Sequence, residues 1–349
     1  FDRSRPLPMG GHIEQADSTG WMAMFSLNML RIALELAQTR PAYEDVATKF
    51  LEHFLAIAKA MRTVSPEHPS LWDEEDGFFH DVIHLADDTR LPMKIRSMVG
   101  LVPLFAVQVL EPELLEQVPR FRQRLDWLVK YRPHLADNVH SLMQPGEGGR
   151  RLLSIFDDDM LRRVLERIVD PDQFLSDYGL RALSKEHEAQ PFVLHVAGER
   201  HEVRYEPGDS SSRMFGGNSN WRGPVWFPLN FMMVDALAAY HRYYGADLTV
   251  EFPTASAHRV TLDEVSRELG RRLIKLFLPD AERDGWRPAL AGMGLPDTPA
   301  WKERLLFHEY FHGDDGTGRG ASHQTGWTAL VAELIHRYGG GAGDRGNPK

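Results

Sequence analysis

The chemistry this sequence can do rests on carboxylates set among aromatic residues. Glu309 stands between His308 and Tyr310, ahead of a loop containing Gly313, Gly316, Gly318 and Gly320 and then the run His323, Gln324, Thr325, Gly326, Trp327 and Thr328. Asp17 lies four residues before Trp21, where a long apolar stretch begins. Glycoside hydrolysis needs such groups: one carboxyl group protonates the leaving oxygen, and a second, ionised, activates water or attacks carbon. Pyranose rings also call for aromatic platforms and polar partners. Trp72 with Asp76, and Arg222 between Trp221 and Trp226, offer both. Each tryptophan alone serves equally well as core filling. Asp17 before a helix also suits an N-cap, where the helix dipole lowers its pKa, the wrong direction for a general acid. Four clusters of carboxylate or arginine beside Trp or Tyr, all at helix ends or loops, move the balance toward a sugar site.

Other chemistries compete for the same residues. His308 to His312 spells H-E-x-x-H, which on a helix sets two imidazoles on one face for zinc and makes the glutamate a general base. A metzincin continuation is missing, because position 315 is Asp and position 318 is Gly, and Gly313 ends any helix at once. His80-Asp81 with His84 is a second metal candidate, of the adjacent His-Asp type used by helical phosphohydrolases, in a loop with no further partner set. The triplet Asp157, Asp158 and Asp159 invites a metal reading too, but carboxylates in a first helical turn complement the dipole without one.

Composition narrows the partners. A formal charge of −10 and a pI near 5.9 repel phosphate backbones and anionic lipid, so nucleic acid and membrane surfaces are not expected. A neutral oligosaccharide or small glycoside fits better. The chain has no cysteine, which excludes disulfides and thiolate catalysis and leaves any metal to His, Asp and Glu. No cofactor is required, although a structural divalent cation is compatible with these residues. The apolar run Met98 to Leu110 is broken by Pro103 and falls well short of the roughly 20 residues that span a bilayer. A cytoplasmic compartment is the expectation, and the oligomeric state is open. The chain starts at Phe1 with no signal-like segment, so a piece of a longer protein is expected.

The elements that must position these groups read as mostly helical. At 349 residues and 42% hydrophobic content, one large core is within reach. Apolar spacing predicts helices over Trp21 to Gln38 and from Pro41 through Arg62, then Lys94 to Leu110 kinked at Pro103, and Glu113 to Tyr131. Further helices are predicted over Met160 to Val169, Leu229 to Tyr244, Leu262 to Leu278 and Thr325 to Tyr338. Ser65 to Arg90 and Pro279 to Ala300 read as loops, and a tail over 341–349 as disordered. The one clear departure from helix is Pro191 to Pro207, where Val193, His195, Val203 and Tyr205 flank a turn in the manner of a β-hairpin.

At this point the residues meet a family. Trp221-Arg222-Gly223-Pro224-Val225-Trp226 with Asn230, then Glu309-Tyr310 followed by Gly316, Gly318 and Gln324-Thr325-Gly326-Trp327-Thr328, resembles the pattern of glycoside hydrolase family 63. That family includes processing α-glucosidases, bacterial α-glucosidases and glucosylglycerate or mannosylglycerate hydrolases. Gly11 through Trp21, Trp72 to Asp81, Arg96-Ser97 with Gly100-Leu101, and Gly179 to Ser184 look like further blocks of it. The resemblance implies an all-α (α/α)6 toroid over 1–340 and inverting hydrolysis of an α-linked sugar. Glu309 is then the general base and Asp17 the general acid. Trp221, Arg222, Trp226 and Gln324 line the sugar subsites, joined by Trp72, Asp76, Trp21 and His323. Two departures stand beside this: fewer helices than the twelve of a full toroid, and a long segment between Trp226 and Glu309 with room for an insertion. The alternatives are a zinc hydrolase on His308 and His312 and a non-catalytic sugar-binding toroid.

Overall fold

A computed structural model describes residues 7, 10–62, 70–132, 142, 144–196, 198–211 and 221–339. The expected tail over 341–349 and the stretch 212–220 ahead of Trp221 lie outside these residues. The chain divides into two compact units, one built mainly of Arg3–Arg167 with Ala236–Val250 and the other of Ile168–Asp235 with Glu251–Lys349.

In the first unit, strand β1 (His12–Glu14) leads into α1 (Ala16–Ala37), which packs along α2 (Tyr43–Arg62) as an antiparallel hairpin. Leu27, Leu30 and Leu34 of α1 and Leu51, Phe54 and Leu55 of α2 are at most 2% exposed. Each such side chain contributes about 1.5–3 kcal/mol through burial. Met22, Phe25 and Ile32 stay exposed on α1, so the helix is apolar on more than its packed face.

The predicted loop from Ser65 to Arg90 carries several short strands where it is described. β2 (Trp72–Asp73) pairs with β3 (Phe78–Phe79) around a tight turn, and β4 (Asp81–His84) pairs with β1 on one side and β5 (Arg90–Met93) on the other. The alternating aromatics and short segments of this stretch hide a period of two behind its turn residues. The kinked helix expected over Lys94 to Leu110 is replaced by a short α3 (Met98–Leu101), a 3₁₀ turn at Val102–Phe105 and strand β6 (Val107–Leu110). Pro103 ends the helical turn, and β-branched Val107 and Val109 continue as a strand paired with β7 (Arg151–Ser154).

Glu113 to Tyr131 is two helices, α4 (Pro112–Gln117) and α5 (Pro119–Tyr131), because Pro119 opens a new first turn. α6 (Asp158–Ile168) begins with its acidic triplet in structural use. Asp157 accepts the N–H of Met160 at 3.0 Å and pairs with Arg62, and Asp158 accepts the hydroxyl of Tyr244 at 2.7 Å. Two of the three carboxylates, Asp157 and Asp158, are thus tied to protein partners at the start of the helix.

The second unit is built on short hairpins and three longer helices. β8 (Leu175–Ser176) pairs with β9 (Gly179–Leu180), and β10 (Phe192–Val196) with β11 (Glu199–Val203), the hairpin expected over Pro191 to Pro207. α7 (Phe227–Tyr244) contributes its first half here. After β12 (Thr249–Glu251) and β13 (Arg259–Thr261), α8 (Leu262–Lys275) starts at a capping box between Thr261 and Glu264. A short α9 (Pro299–Lys302) precedes β14 (Tyr310–Phe311) and β15 (Gly318–Arg319), which pair with Tyr310 opposite Arg319. The final predicted helix is split into α10 (Thr325–Thr328) and α11 (Val331–Tyr338), the latter packed on α8. Among the described residues helices therefore dominate, with seven sheets of two or three strands between them, more β structure than one hairpin.

Candidate active site

The second unit's site grows from one strand-like crossing. Val225 exchanges backbone hydrogen bonds with Phe311, N–H to carbonyl at 2.8 and 2.9 Å in the two directions. An antiparallel register that sets 225 opposite 311 sets 226 opposite 310, so the side chains of Trp226 and Tyr310 fall on the same face. Their rings are stacked at 4.8 Å and 30°. Trp221 meets Trp226 edge-on at 5.9 Å, and Trp327 from α10 meets it at 5.9 Å. Trp226 is 6% exposed and its indole N–H has no hydrogen-bond partner among the described residues, while Trp327 is 41% exposed. The result is an aromatic wall with one buried and one open end.

Within the W-R-G-P-x-W block the backbone places its strictest demand at Gly223. Trp221 takes a left-handed backbone (φ 54°) and Gly223 a positive φ of 146°, where a Cβ would also lie 2.7 Å from the Tyr205 ring. Only glycine serves there. Arg222 is 3% exposed; burial lowers its pKa, and the nearby charge of Glu206 works in the other direction. Asn230, fully buried, accepts the N–H of Leu180 at 2.6 Å and donates to the carbonyls of Leu180 (3.1 Å) and Trp226 (3.0 Å). It ties the β8–β9 hairpin to the first turn of α7 and so fixes Trp226. The carboxylate of Asp209 accepts the hydroxyl of Tyr310 at 2.8 Å, a partner with no sequence signal.

Glu309 is half-buried immediately before Tyr310, with its N–H bonded to the carbonyl of Ala321 at 2.8 Å and its Oε2 accepting the N–H of Ala321 at 3.2 Å. Gly320 (φ 64°) passes so close that a Cβ would lie 2.6 Å from Oε2 of Glu309 and 2.8 Å from the Tyr310 ring. Gln324 anchors the far side by donating its N–H to Phe307 at 2.8 Å, opposite the bridge between Phe307 and His323. Gln324 is half-buried and His323 exposed. Glu309, Tyr310, Trp221, Arg222, Trp226, His323 and Gln324 thus belong to one unit.

The H-E-x-x-H helix does not form. His308 to His312 runs through β14, where four residues at about 3.3 Å each hold the two imidazoles far beyond the span of one metal. His308 is 1% exposed against Gly318, and burial, followed by the charges of His323 and Arg319, lowers its pKa and keeps it neutral. His312 turns its Nδ1 to the N–H groups of Asp314 and Asp315 at 3.3 Å. The tightness of the Gly-rich hairpin decides this, and it overrides a motif that needs helical spacing.

The remaining predicted site residues lie in the first unit. Asp17 falls within the first turn of α1 and not before it; Gln15 is the N-cap and makes no side-chain capping bond. Asp17 is 6% exposed and accepts the N–H of Ser18 at 2.7 Å. Trp21 is half-buried beside Phe105 at 5.7 Å. Trp72 is 5% exposed, packed edge-on to Phe79 at 5.1 Å and Phe156 at 6.3 Å. Asp76 is locked by His80 Nε2 at 2.7 Å and by Arg96 Nε at 3.1 Å, with Arg167 nearby at 3.6 Å. Burial pushes the Asp76 carboxyl up, but the hydrogen bonds from His80 and Arg96 win and hold it well below the usual carboxylate range. The His80-Asp81-His84 metal candidate is dispersed: His80 serves Asp76, and Asp81 accepts the N–H of Ala16 at 2.8 Å.

Residues 150–278 match the model of the glycosyl hydrolase family 63 C-terminal domain. The chain is 48% identical to an uncharacterized protein of Saccharomyces cerevisiae over 97% of its own length and 32% of that protein's. Over 51% of the chain it is 26% identical to the mannosyl-oligosaccharide glucosidase of the same yeast, covering 15% of it. Over the same share it is 24% identical to alpha-glucosidase 2 of Arabidopsis thaliana, covering 16%. The chain therefore spans about a third or less of the relatives it matches. The family-model match over residues 150–278 and the two glucosidase relatives support a glycosyl hydrolase family 63-like family for this chain.

Proposed function

We propose that this chain belongs to the catalytic part of an inverting α-glycosidase, an α-glucosidase in its first preference, built on an (α/α)6 toroid. The observation that carries the reading is the half-buried Glu309 beside the buried Trp226–Tyr310 stack, whose outer neighbours, half-buried Trp221 and exposed Trp327, offer apolar surface suited to the flat face of a sugar. Glu309 acts as general base: Oε2 is held by the N–H of Ala321, and Oε1 takes the proton of the attacking water. Asp17 is the general acid in this reading, supported by its block's resemblance to the family and by its burial in the first turn of α1. Trp221, Arg222, Trp226 and Gln324 hold the sugar.

The test is hydrolysis of α-glucosyl and α-mannosyl substrates by the full-length protein. Glu309→Gln keeps the shape of the side chain but cannot accept a proton, so turnover should fall by about 10³-fold or more with sugar binding retained. Turnover near that of the parent would end the assignment. Binding of these sugars with no hydrolysis by the parent would point instead to a sugar-binding module.

A further inference from the structure

Strand β1 carries His12 and Glu14 two positions apart, and its antiparallel pairing with β4 sets His84 directly opposite His12. Residues two apart on a strand, and partners across a pair, share one face of the sheet. The imidazoles of His12 and His84 are 5.0 Å apart, and Nε2 of His12 lies 3.7 Å from Oε1 of Glu14. One donor atom from each of the three falls within 4.8 Å of the other two. His84 adds an independent sign. Its Nε2 faces Oδ1 of Asp88 at 3.3 Å, while its Nδ1 is buried with no hydrogen-bond partner among the described residues.

We propose that His12, Glu14 and His84 form a zinc-type divalent transition-metal site that clamps β1 to β4. Two imidazoles and one carboxylate match the ligand preference of zinc, whereas calcium and magnesium take oxygen ligands almost throughout. Bonds of about 2.0–2.1 Å in a tetrahedron place donors roughly 3.4 Å apart, so the three must draw in slightly. His12, 62% exposed, has the freedom to do so. Asp88 accepting from Nε2–H of His84 fixes the tautomer that offers Nδ1 to the metal, the usual carboxylate–histidine–metal arrangement. Three protein ligands leave a fourth position for water. The clamp acts where α1 begins: β1 runs through Gln15 into Ala16, whose N–H already bonds to Asp81 of β4. A metal here stiffens the entry to the turn that carries Asp17.

The experiment uses the untagged full-length protein, stripped with chelator and dialysed against zinc chloride, with metal content measured by mass spectrometry and affinity by calorimetry. One zinc per chain is expected. His12→Ala and Glu14→Gln should each weaken it by more than the roughly 10–100-fold that loss of an outer partner costs, and Asp88→Asn by about that much. His53→Ala, an exposed histidine outside the cluster, should leave it unchanged. Cobalt(II) in place of zinc should give a tetrahedral visible spectrum that His12→Ala abolishes. Because His12 is exposed, its variant keeps the test sound even where His84→Ala fails to fold. No stoichiometric zinc in the parent, or equal affinity in His12→Ala, would overturn the site.

Discussion

A carboxylate's surroundings, more than its neighbours in sequence, decide what it does. Asp76 and Glu309 both sit beside aromatics in the sequence, yet Asp76 is committed to His80 and Arg96 while Glu309 is held by one backbone N–H. Asp76→Ala removes the hydrogen-bond partner of buried His80 and half-buried Arg96 and should cost on the order of 3 kcal/mol in chemical denaturation, the scale for breaking a buried pair. The pH sign follows from linkage. The folded state holds Asp76 below its unfolded pKa of about 3.9, so its contribution is full above pH 4 and is lost as pH falls toward the folded value. The parent should therefore lose more stability than Asp76→Asn between about pH 4 and pH 2.5, read from denaturant midpoints. Equal loss in both would show that the carboxylate is not a native-state anion. At the active-site wall, Trp226→Ala should raise KM and lower kcat together, by about tenfold or more, because the Tyr310 stack that orients Glu309 loses its partner.

At the scale of elements, the β14–β15 hairpin is the device that aims Glu309. Its strands pair over only two residues each, and the return of the chain at Gly320 presses backbone against the carboxylate. Gly320→Ala introduces a Cβ that must displace Glu309 or Tyr310, at a residue whose φ of 64° disfavours any side chain. Stability should fall by about 1–2 kcal/mol and kcat by roughly 100-fold, with thermal melting and steady-state kinetics as the readouts. A variant with parental kcat would show that the hairpin tolerates a shift without moving the proposed base. Asn230 plays the corresponding part for Trp226: its side chain bonds the Leu180 N–H and the carbonyls of Leu180 and Trp226 in a buried setting, so Asn230→Leu should destabilise the unit by about 2–4 kcal/mol, read from denaturant midpoints.

For the molecule as a whole, the proposed chemistry makes a stereochemical prediction. An inverting enzyme with separate base and acid releases first the anomer opposite to the substrate's linkage, so time-resolved NMR of an α-glucoside digest should show β-glucose before mutarotation. The α anomer appearing first would replace inversion with a retaining mechanism. The acid is tested apart from the base, since Asp17→Asn should spare substrates with good leaving groups more than poor ones. What the sequence determined by itself was local and chemical. Apolar period 3.6 wrote α1, α2, α7 and α8, and the W-R-G-P-x-W and Glu-Tyr blocks pointed to candidate residues through their resemblance to a family, with Gly223 demanded by its positive φ and the closeness of Tyr205. Tertiary structure decided what local pattern could not. Strands of two to four residues are too short to show a period, so β2 to β6 read as loop or helix until their partners were in place. H-E-x-x-H and His-Asp-His have identical spelling in helix, strand and turn. Only the pairing of Val225 with Phe311, and of His12 with His84, determines which side chains meet, because register is set between segments far apart in the chain.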